Sequence, residues 1–447
     1  MDRLTPSRAY LDQINSQVEA DIAATEELSY PDPDYPEQPK LWQRVAAAAE
    51  SYQDDLVALS LDLHAHPEVA FEEHRSAAAI AELLEQHGVS VTRQAFGVET
   101  ALHASWATTD FDPQLHPTIA VLSEYDALPG IGHACGHNVI AACGVGGFIS
   151  ALEALKNAEI PGRLVFLGTP AEEGHSGKEY LIRGGAFEGV DAAIMIHPFS
   201  YDIGSHVWVG RRNLSVTFRG VAAHASSEPF MGRNALDAAT LAYQGLGLLR
   251  QQMPHSDRLH AIIDDGGERA SIIPESASMS IYVRSLYTDT LLDLSSRVDD
   301  IIEGAALMAG VTVEKKWDVH PATLPVRNNE TLVARWTRTQ VEQGRQPLPA
   351  GIIPATLAAS TDFGNVSQLV PGLHPMVKIA PVGVALHTEG MERAAASEEA
   401  ATAIVHSAAG LGQVAIDALA DPTLLARARE EFAAEGGVVR SADLFGA

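Results

Sequence analysis

The stretch IAVLSEYDALPGIGHACGHNVIAACGVGGFISALEALKN (119–157) predicts a buried strand, a glycine-containing loop and a long helix in direct succession. Ile119–Leu122 is a short apolar run bounded by turn residues, as in a strand that is buried on both faces of its sheet. Val139–Asn157 has the pattern of a buried helix. Two similar apolar runs and one more helical stretch follow, at Arg163–Leu167, Ala192–Ile196 and Gly177–Gly184. This alternation predicts an α/β layer with a largely parallel central sheet.

A second pattern begins near residue 206, where the predicted elements follow the order βαββαβ. They lie at Val207–Val221, Asn234–Gln251, Leu259–Ile263, Ala277–Arg284, Asp289–Ala309 and Val311–Trp317. This order is that of a ferredoxin-like unit. The first pattern resumes near residue 330 with a helix, a buried strand at Met376–Ile379 and a long closing helix from Ser397. The smaller unit is therefore predicted to be inserted into the larger one.

These patterns divide the chain into three predicted parts. Residues 1–40 form an acidic, proline-rich arm, because the prolines of SYPDPDYPEQPK (29–40) block both helix and central strand. Residues 41–205 and 325–447 form the α/β domain. Residues 206–324 form the inserted domain.

The charge balance excludes some classes of partner. Among 447 residues, 30 are Lys or Arg and 58 are Asp or Glu, so the formal net charge is −28. Binding to nucleic acid or an anionic membrane depends on clustered basic residues, so neither partner is expected.

Three sequence features bear on the location of the protein. The N-terminus lacks a signal-peptide pattern, the longest apolar stretch (Val139–Leu152) is too short to span a bilayer, and two cysteines cannot form a disulfide framework. We therefore expect a cytoplasmic protein.

The loop GIGHACGHN (130–138) carries a thiol and an imidazole two residues apart, on Cys135 and His137. Thiolate and imidazole are ligands that zinc-like divalent ions readily take, and the flanking glycines let the backbone turn and approach closely. A turn that merely contains a buried cysteine is the alternative. The loop alone does not decide between them.

Three further sites place ligand-type side chains at the ends of apolar runs. Glu172 and Glu173 follow the predicted strand RLVFLG, His197 follows AAIMI, and His387 lies in VGVALHTEG. Open α/β sheets bind ligands at the carboxyl ends of their strands. Five candidate ligands result: Cys135, His137, Glu173, His197 and His387. Five exceed the three protein ligands of a mononuclear catalytic zinc site and suit two metal ions with a bridging water.

The remaining carboxylate suggests the reaction. Glu172 is left to act as the general base that takes a proton from the metal-activated water and returns it to a leaving amine. The predicted reaction is metal-assisted hydrolysis of an amide. Two alternatives stay open: a hydrolase in which Cys135 is the nucleophile and His137 the base, and a homologue that binds metal without catalysis.

Several of these runs resemble one known family. They are HPEVAFEE (66–73), SEYDALPGIGHACGHN (123–138), PAEEG (170–174), MIHP (195–198) and STDFGNVS (360–367). These runs resemble the M20 metallopeptidases. The resemblance is greatest to the amidohydrolase branch with the aminobenzoyl-glutamate hydrolase subunits and the Xaa-Arg-type dipeptidases. The resemblance implies a catalytic α/β domain, an inserted lid domain that often dimerises, and hence a homodimer. It also implies the same five ligands, with Glu172 as base, acting on a dipeptide or an N-acyl or aminobenzoyl amino acid.

The resemblance assigns roles to four more residues. His224, in GVAAHAS, matches a histidine that often reaches the partner subunit's active site and stabilises the oxyanion. Arg284 would contact a substrate carboxylate, although an exposed arginine on a strand edge is the alternative. Two of the roles come from departures from the family pattern. His175, where a glycine-rich stretch is commoner, would line the substrate pocket, and Asp126, in the stretch where many members carry a first His and Asp, would orient a metal ligand. The metal stays open between Zn²⁺, which suits thiolate and imidazole, and Mn²⁺, which suits carboxylate and water.

Overall fold

The computed structural model describes residues 6–24, 38–156 and 158–446, and the chain divides into two compact units. The first unit comprises residues 1–206, 327–357 and 365–440. The second comprises residues 207–326, 358–364 and 441–447.

The helices of the described residues are α1 (Ala9–Ala24), α2 (Pro39–Ser51), α3 (Gln53–Ala65), α4 (His74–Gln86), α5 (His137–Leu155), α6 (Gly177–Arg183), α7 (Ala235–Leu249), α8 (Thr288–Ala309), α9 (Glu330–Glu342), α10 (Phe363–Ser367), α11 (Glu389–Ala394), α12 (Glu398–Ala420), α13 (Pro422–Ala434) and α14 (Ser441–Phe445). The strands are β1 (Val91–Arg93), β2 (Leu102–Ala107), β3 (Thr118–Ser123), β4 (Arg163–Gly168), β5 (Ala192–Ile194), β6 (His197–Phe199), β7 (Gly210–Arg219), β8 (Ala223–His224), β9 (Arg258–Asp265), β10 (Ile272–Ile273), β11 (Ser276–Ser285), β12 (Thr312–Trp317), β13 (Gly372–Leu373) and β14 (Met376–Lys378).

The main sheet of the first unit has the strand order β1-β2-β4-β3-β5-β13. The pairs β4–β3, β3–β5 and β5–β13 are parallel, whereas β1–β2 and β2–β4 are antiparallel. Every residue of β3 is buried, and Ile119 pairs with Leu164 on one side and with Ala192 on the other. The predicted α/β class with a largely parallel central sheet is confirmed, because the short apolar runs are its inner strands.

Helix α5 packs directly on this sheet. A Cβ atom on Gly144 would lie 2.1 Å from the Ser123 hydroxyl and 2.5 Å from the Leu122 carbonyl oxygen, so only glycine permits this approach to β3. Both α5 and α12 are long and apolar enough to cross a membrane, but 94% and 83% of their apolar windows are buried inside the protein. Their surroundings are those of core helices, and length and composition alone are weak evidence for a membrane span.

The second unit is built on an antiparallel sheet of order β12-β7-β11-β9. Alternate residues of its strands, among them Phe218 and Ile281, form one core with α7 and α8. Along the chain, these four strands and two helices follow the order βαββαβ that the sequence predicted. Asn234 caps α7, because its side chain accepts a hydrogen bond from the backbone N–H of Leu236 at 3.0 Å.

The structure adds details that the sequence did not predict. Part of the predicted arm (1–40) is helical, since α1 covers Ala9–Ala24 and buries Val18; residues 25–37, which hold most of the proline-rich stretch, lie outside the described residues. Two short segments, 358–364 and 441–447, belong to the second unit although they follow the inserted region in the sequence. There, the Val209 N–H donates to the Ala359 carbonyl oxygen at 2.8 Å.

Candidate metal centre

The ends of strands and one helix N-terminus bring the predicted ligands together. Cys135 lies in the loop that leads into α5, whose first residue is His137. Glu173 follows β4, His197 is the first residue of β6, and His387 lies in the loop after β14. All five belong to the first unit.

The ligand-type atoms of these five residues and of Glu172 form three overlapping groups. Within each group, all atoms lie within 4.8 Å of one another. The groups are Cys135 with His137 and His197, Cys135 with Glu173 and His387, and His137 with Glu172 and Glu173. The first two groups share only Cys135. Each could therefore hold its own ion, so the arrangement offers more than one position for a metal.

The separations between these atoms fit coordination. The Cys135 Sγ lies 3.5 Å from the His197 Nε2, and the His387 Nε2 lies 3.3 Å from the Glu173 Oε1. Two atoms bound to one tetrahedral zinc ion, with bonds of about 2.0–2.3 Å, lie about 3.3–3.7 Å apart. Both separations therefore match the spacing of two ligands on one ion.

Close backbone packing sets these distances. Gly136 has a φ of 83° and caps α5, and a Cβ atom there would lie 2.9 Å from the Pro198 ring. The loop of Cys135 therefore approaches the loop of His197 more closely than any other residue at 136 would allow. The His387 N–H donates to the Ala134 carbonyl oxygen at 2.9 Å, which ties the third loop to the first.

Hydrogen bonds fix the orientation of two imidazole rings. The His137 Nδ1 lies 3.0 Å from the Asp126 Oδ1, and the His197 Nδ1 lies 2.8 Å from the Pro198 carbonyl oxygen. Because each Nδ1–H donates to an oxygen, each ring turns its Nε2 toward the cluster. The other Asp126 oxygen accepts the Glu173 backbone N–H at 2.8 Å, so one carboxylate positions two candidate ligands.

Two buried polar atoms of the cluster lack a hydrogen-bond partner within the described part of the chain. The His137 Nε2 and the Glu124 Oε2 lie 3.4 Å apart, both side chains are fully buried, and neither atom has a hydrogen-bond partner among the described residues. Leaving such a group unsatisfied costs about 1–3 kcal/mol. A divalent cation among lone pairs of nitrogen, oxygen and sulfur removes that cost, so the donor set fits a metal centre.

Burial also shifts the ionisation of the ligands. It lowers the pKa of His197 to about 4, so this imidazole is neutral at pH 7, the form that binds a metal. Burial and then the negative charge of Glu173 raise the pKa of the Cys135 thiol well above its usual range. Such a thiol becomes a thiolate beside a strong positive charge, which a metal ion supplies.

Glu172 and His175 lie beside the ligands. The Glu172 Oε2 lies 3.9 Å from the His137 Nε2, and 8% of the residue is exposed. The half-buried His175 donates from its Nδ1 to the Glu173 carbonyl oxygen at 2.8 Å, and its ring lies edge-on to that of Phe71 at 5.7 Å between centroids. The structure therefore brings the predicted base, the predicted ligands and Asp126 into one cluster, with His175 next to it.

The other two predicted site residues belong to the second unit. His224 is exposed, and its Nδ1 accepts the backbone N–H groups of Ser226 and Ser227 at 3.2 and 3.1 Å. Arg284 lies on β11, an inner strand of its sheet and not an edge strand, and its guanidinium lies 5.0 Å from the centroid of the Tyr282 ring. Burial lowers the pKa of Arg284.

Sequence reasoning missed a buried ion pair beside the cluster. Glu124 and Lys178 are both fully buried, and the Lys178 ammonium donates to the Glu124 Oε1. Glu124 directly follows β3, so the argument from strand ends that identified Glu173 could have found it. No comparable signal marks Lys178, because lysine on a short helix is usually exposed.

Comparisons with known proteins identify the family of this chain. The model of Peptidase family M20/M25/M40 matches residues 120–409. The chain is 37% identical to the Xaa-Arg dipeptidase of Mus musculus over 399 residues, which cover 88% of this chain and 92% of the mouse protein. It is 35% identical to one subunit of the p-aminobenzoyl-glutamate hydrolase of Escherichia coli over 272 residues, 57% of this chain and 55% of that protein.

The fold of this chain is similar to that of a solved structure. A dinuclear metal binding peptidase of the M20 family from Bacillus subtilis superposes with a TM-score of 0.62 at 20% identity, over 83% of this chain and 99% of the other. The resemblance inferred from the sequence motifs is confirmed, and the chain belongs to peptidase family M20/M25/M40 and is a hydrolase of that family.

Proposed function

We propose that this protein is a metal-dependent amidohydrolase that cleaves the amide or peptide bond of a dipeptide or of an N-acyl or aminobenzoyl amino acid. The single observation that carries the proposal is the convergence of five ligand-type side chains and the Glu172 carboxylate in one cluster. The names of the relatives, a dipeptidase and an aminobenzoyl-glutamate hydrolase, support this substrate class.

The five ligands Cys135, His137, Glu173, His197 and His387 hold two divalent ions. Such ions lower the pKa of water and polarise a carbonyl oxygen. The thiolate and imidazoles favour zinc, while the carboxylates also suit manganese, so zinc or manganese is the proposed metal.

Each remaining residue has a role that its position supports. Glu172 lies at the edge of the cluster with a small exposed fraction, so it can take a proton from water and return it to the leaving amine. Asp126 orients His137 and the backbone of Glu173. His175, half-buried next to the ligands, lines the substrate pocket.

The second unit supplies substrate contacts and a dimer interface. Arg284 binds the substrate carboxylate, and His224 reaches the active site of a partner subunit to stabilise the oxyanion. The support for a homodimer is β9, which ends the sheet order and exposes 61% of Ile262 and 38% of Ile263. An edge strand with exposed apolar side chains favours pairing with a second copy. We propose a cytoplasmic location for this dimer, which the two buried free cysteines support.

A substrate panel tests the proposal. Dipeptides and N-acyl amino acids are assayed with protein purified without chelator, after chelation, and after addition of Zn²⁺ or Mn²⁺. We expect hydrolysis that chelation abolishes and one of the two metals restores. Hydrolysis that survives complete metal removal would support Cys135 as a nucleophile instead. A Glu172→Gln variant with full metal content and unchanged turnover would exclude Glu172 as the base.

A further inference from the structure

Glu73 is a buried carboxylate of the HPEVAFEE run (66–73) and belongs to neither the ligands nor the proposed base. Its side chain is fully buried. The Oε1 atom accepts the backbone N–H of Phe71 at 2.9 Å and that of Ala171 at 2.8 Å. The Oε2 atom accepts the Thr100 hydroxyl at 2.9 Å. One carboxylate therefore joins three separate segments of the first unit.

Both backbone donors on Oε1 have a left-handed conformation. Phe71 has a φ of 63° and Ala171 a φ of 60°. Residues with a Cβ atom rarely adopt this region, and they persist there only when neighbouring contacts hold them. The hydrogen bonds to Glu73 are such contacts, and a carboxylate oxygen can accept both at once.

The two left-handed residues lie next to the site. Ala171 directly precedes Glu172, and its own carbonyl oxygen accepts the Gly177 N–H at 2.9 Å, so the loop from 171 to 177 is fixed at both ends. Phe71 lies against the His175 ring. A change in the backbone of Ala171 would rotate the two glutamates that follow it.

We propose that Glu73 is a positioning residue, which fixes Ala171 in its left-handed conformation and thereby aims the Glu172 and Glu173 carboxylates. The inference rests on the proposed function for the role of Glu172, but its effect on Glu173 can be measured without turnover.

Three variants separate positioning from general stability. Glu73→Met keeps the length of the side chain and removes both acceptors. Glu73→Gln keeps an acceptor oxygen. Ala171→Gly, combined with Glu73→Met, lets residue 171 adopt a positive φ without a Cβ atom.

Two further variants are controls. Glu72→Met, at an exposed neighbouring carboxylate, is the matched control. Asp421→Ala removes a helix cap far along the chain and reports general destabilisation.

For each variant we would measure kcat and KM, the affinity of the metal-free protein for Zn²⁺ by chelator competition, and the melting temperature. We expect Glu73→Met to lower kcat about 10- to 100-fold with little change in KM, and to weaken zinc binding about tenfold, as for other residues that orient metal ligands. In kcat, KM and zinc affinity, Glu73→Gln and the Glu72→Met control should stay close to the wild type. Ala171→Gly should restore a large part of both losses.

Two results would overturn the proposal. One is a folded Glu73→Met variant whose kcat and zinc affinity equal those of the wild type. The other is a loss that neither Glu73→Gln nor Ala171→Gly relieves and that Asp421→Ala reproduces in proportion to its lower melting temperature. If the wild type hydrolyses no amide, the proposed function fails, and the zinc affinities of the same variants still decide the role of Glu73.

Discussion

Replacing Glu73 by glutamine should change how the stability of the protein depends on pH. Burial, together with the nearby negative charge of Asp126, raises the pKa of Glu73 from 4.5 to about 7. The carboxyl therefore holds its proton more tightly in the folded chain than in the unfolded chain. The stability that this contributes is fully present below pH 4.5 and is lost as the pH rises through 7.

The magnitude follows from the two pKa values. A tenfold change in proton affinity corresponds to about 1.4 kcal/mol, so the wild type should lose about 2–3 kcal/mol of unfolding free energy from this group between pH 5 and pH 8. Glutamine keeps the acceptor for Phe71 and Ala171 but cannot ionise. The Glu73→Gln variant should therefore gain about 2–3 kcal/mol relative to the wild type over the same pH range.

Urea unfolding followed by circular dichroism, at pH 5, 6, 7 and 8 and with equal metal content, measures this difference. Other titrating groups are common to both proteins and cancel in the comparison. Unfolding free energies of the two proteins that run parallel across this range would refute the reasoning, because the carboxyl would then have the same pKa in the folded and unfolded chains.

Three further predictions concern the metal and the core. Cys135→Ser should lower metal content before it lowers activity per bound metal, which elemental analysis of the purified variant measures; full occupancy with full activity would contradict the ligand role. Dialysis against a chelator should lower the melting temperature, and added Zn²⁺ should restore it, because an ion that binds the folded chain stabilises it; a melting temperature that is independent of metal would count against the centre. Gly144→Ala should destabilise the protein by about 1–3 kcal/mol, because its Cβ would meet the backbone of Leu122. Gly247→Ala, in α7 with open space around its Cβ, is the control and should be neutral or stabilising by up to about 1 kcal/mol in thermal or urea unfolding.

The sequence predicted the parts of this protein that depend on local pattern and on topology. Runs such as Ile119–Leu122 are strands because they are apolar throughout, and parallel strands end on the same edge, so Glu173 and His197 had to lie close together. The inserted ferredoxin-like unit followed from the order of its elements.

What the sequence did not predict depends on contacts between distant segments. Glu73 holds Ala171 across 98 positions, and Lys178 pairs with Glu124 across 54. No spacing rule reveals such partners. The sequence also did not predict that segment 441–447 belongs to the second unit. There, the Phe445 ring packs against the guanidinium of Arg212, a residue far from it in the sequence.

The unequal exposure of the candidate ligands has a kinetic consequence. Cys135, His137 and His197 are each at most 6% exposed, whereas 52% of the His387 side chain is exposed. An ion held by the buried trio must leave through closely packed protein, while an ion held by Glu173 and His387 needs only one surface loop to move. We therefore expect two exchange rates when a metal isotope is added to the solution. The ion held by Glu173 and His387 should exchange much faster than the ion held by the buried trio.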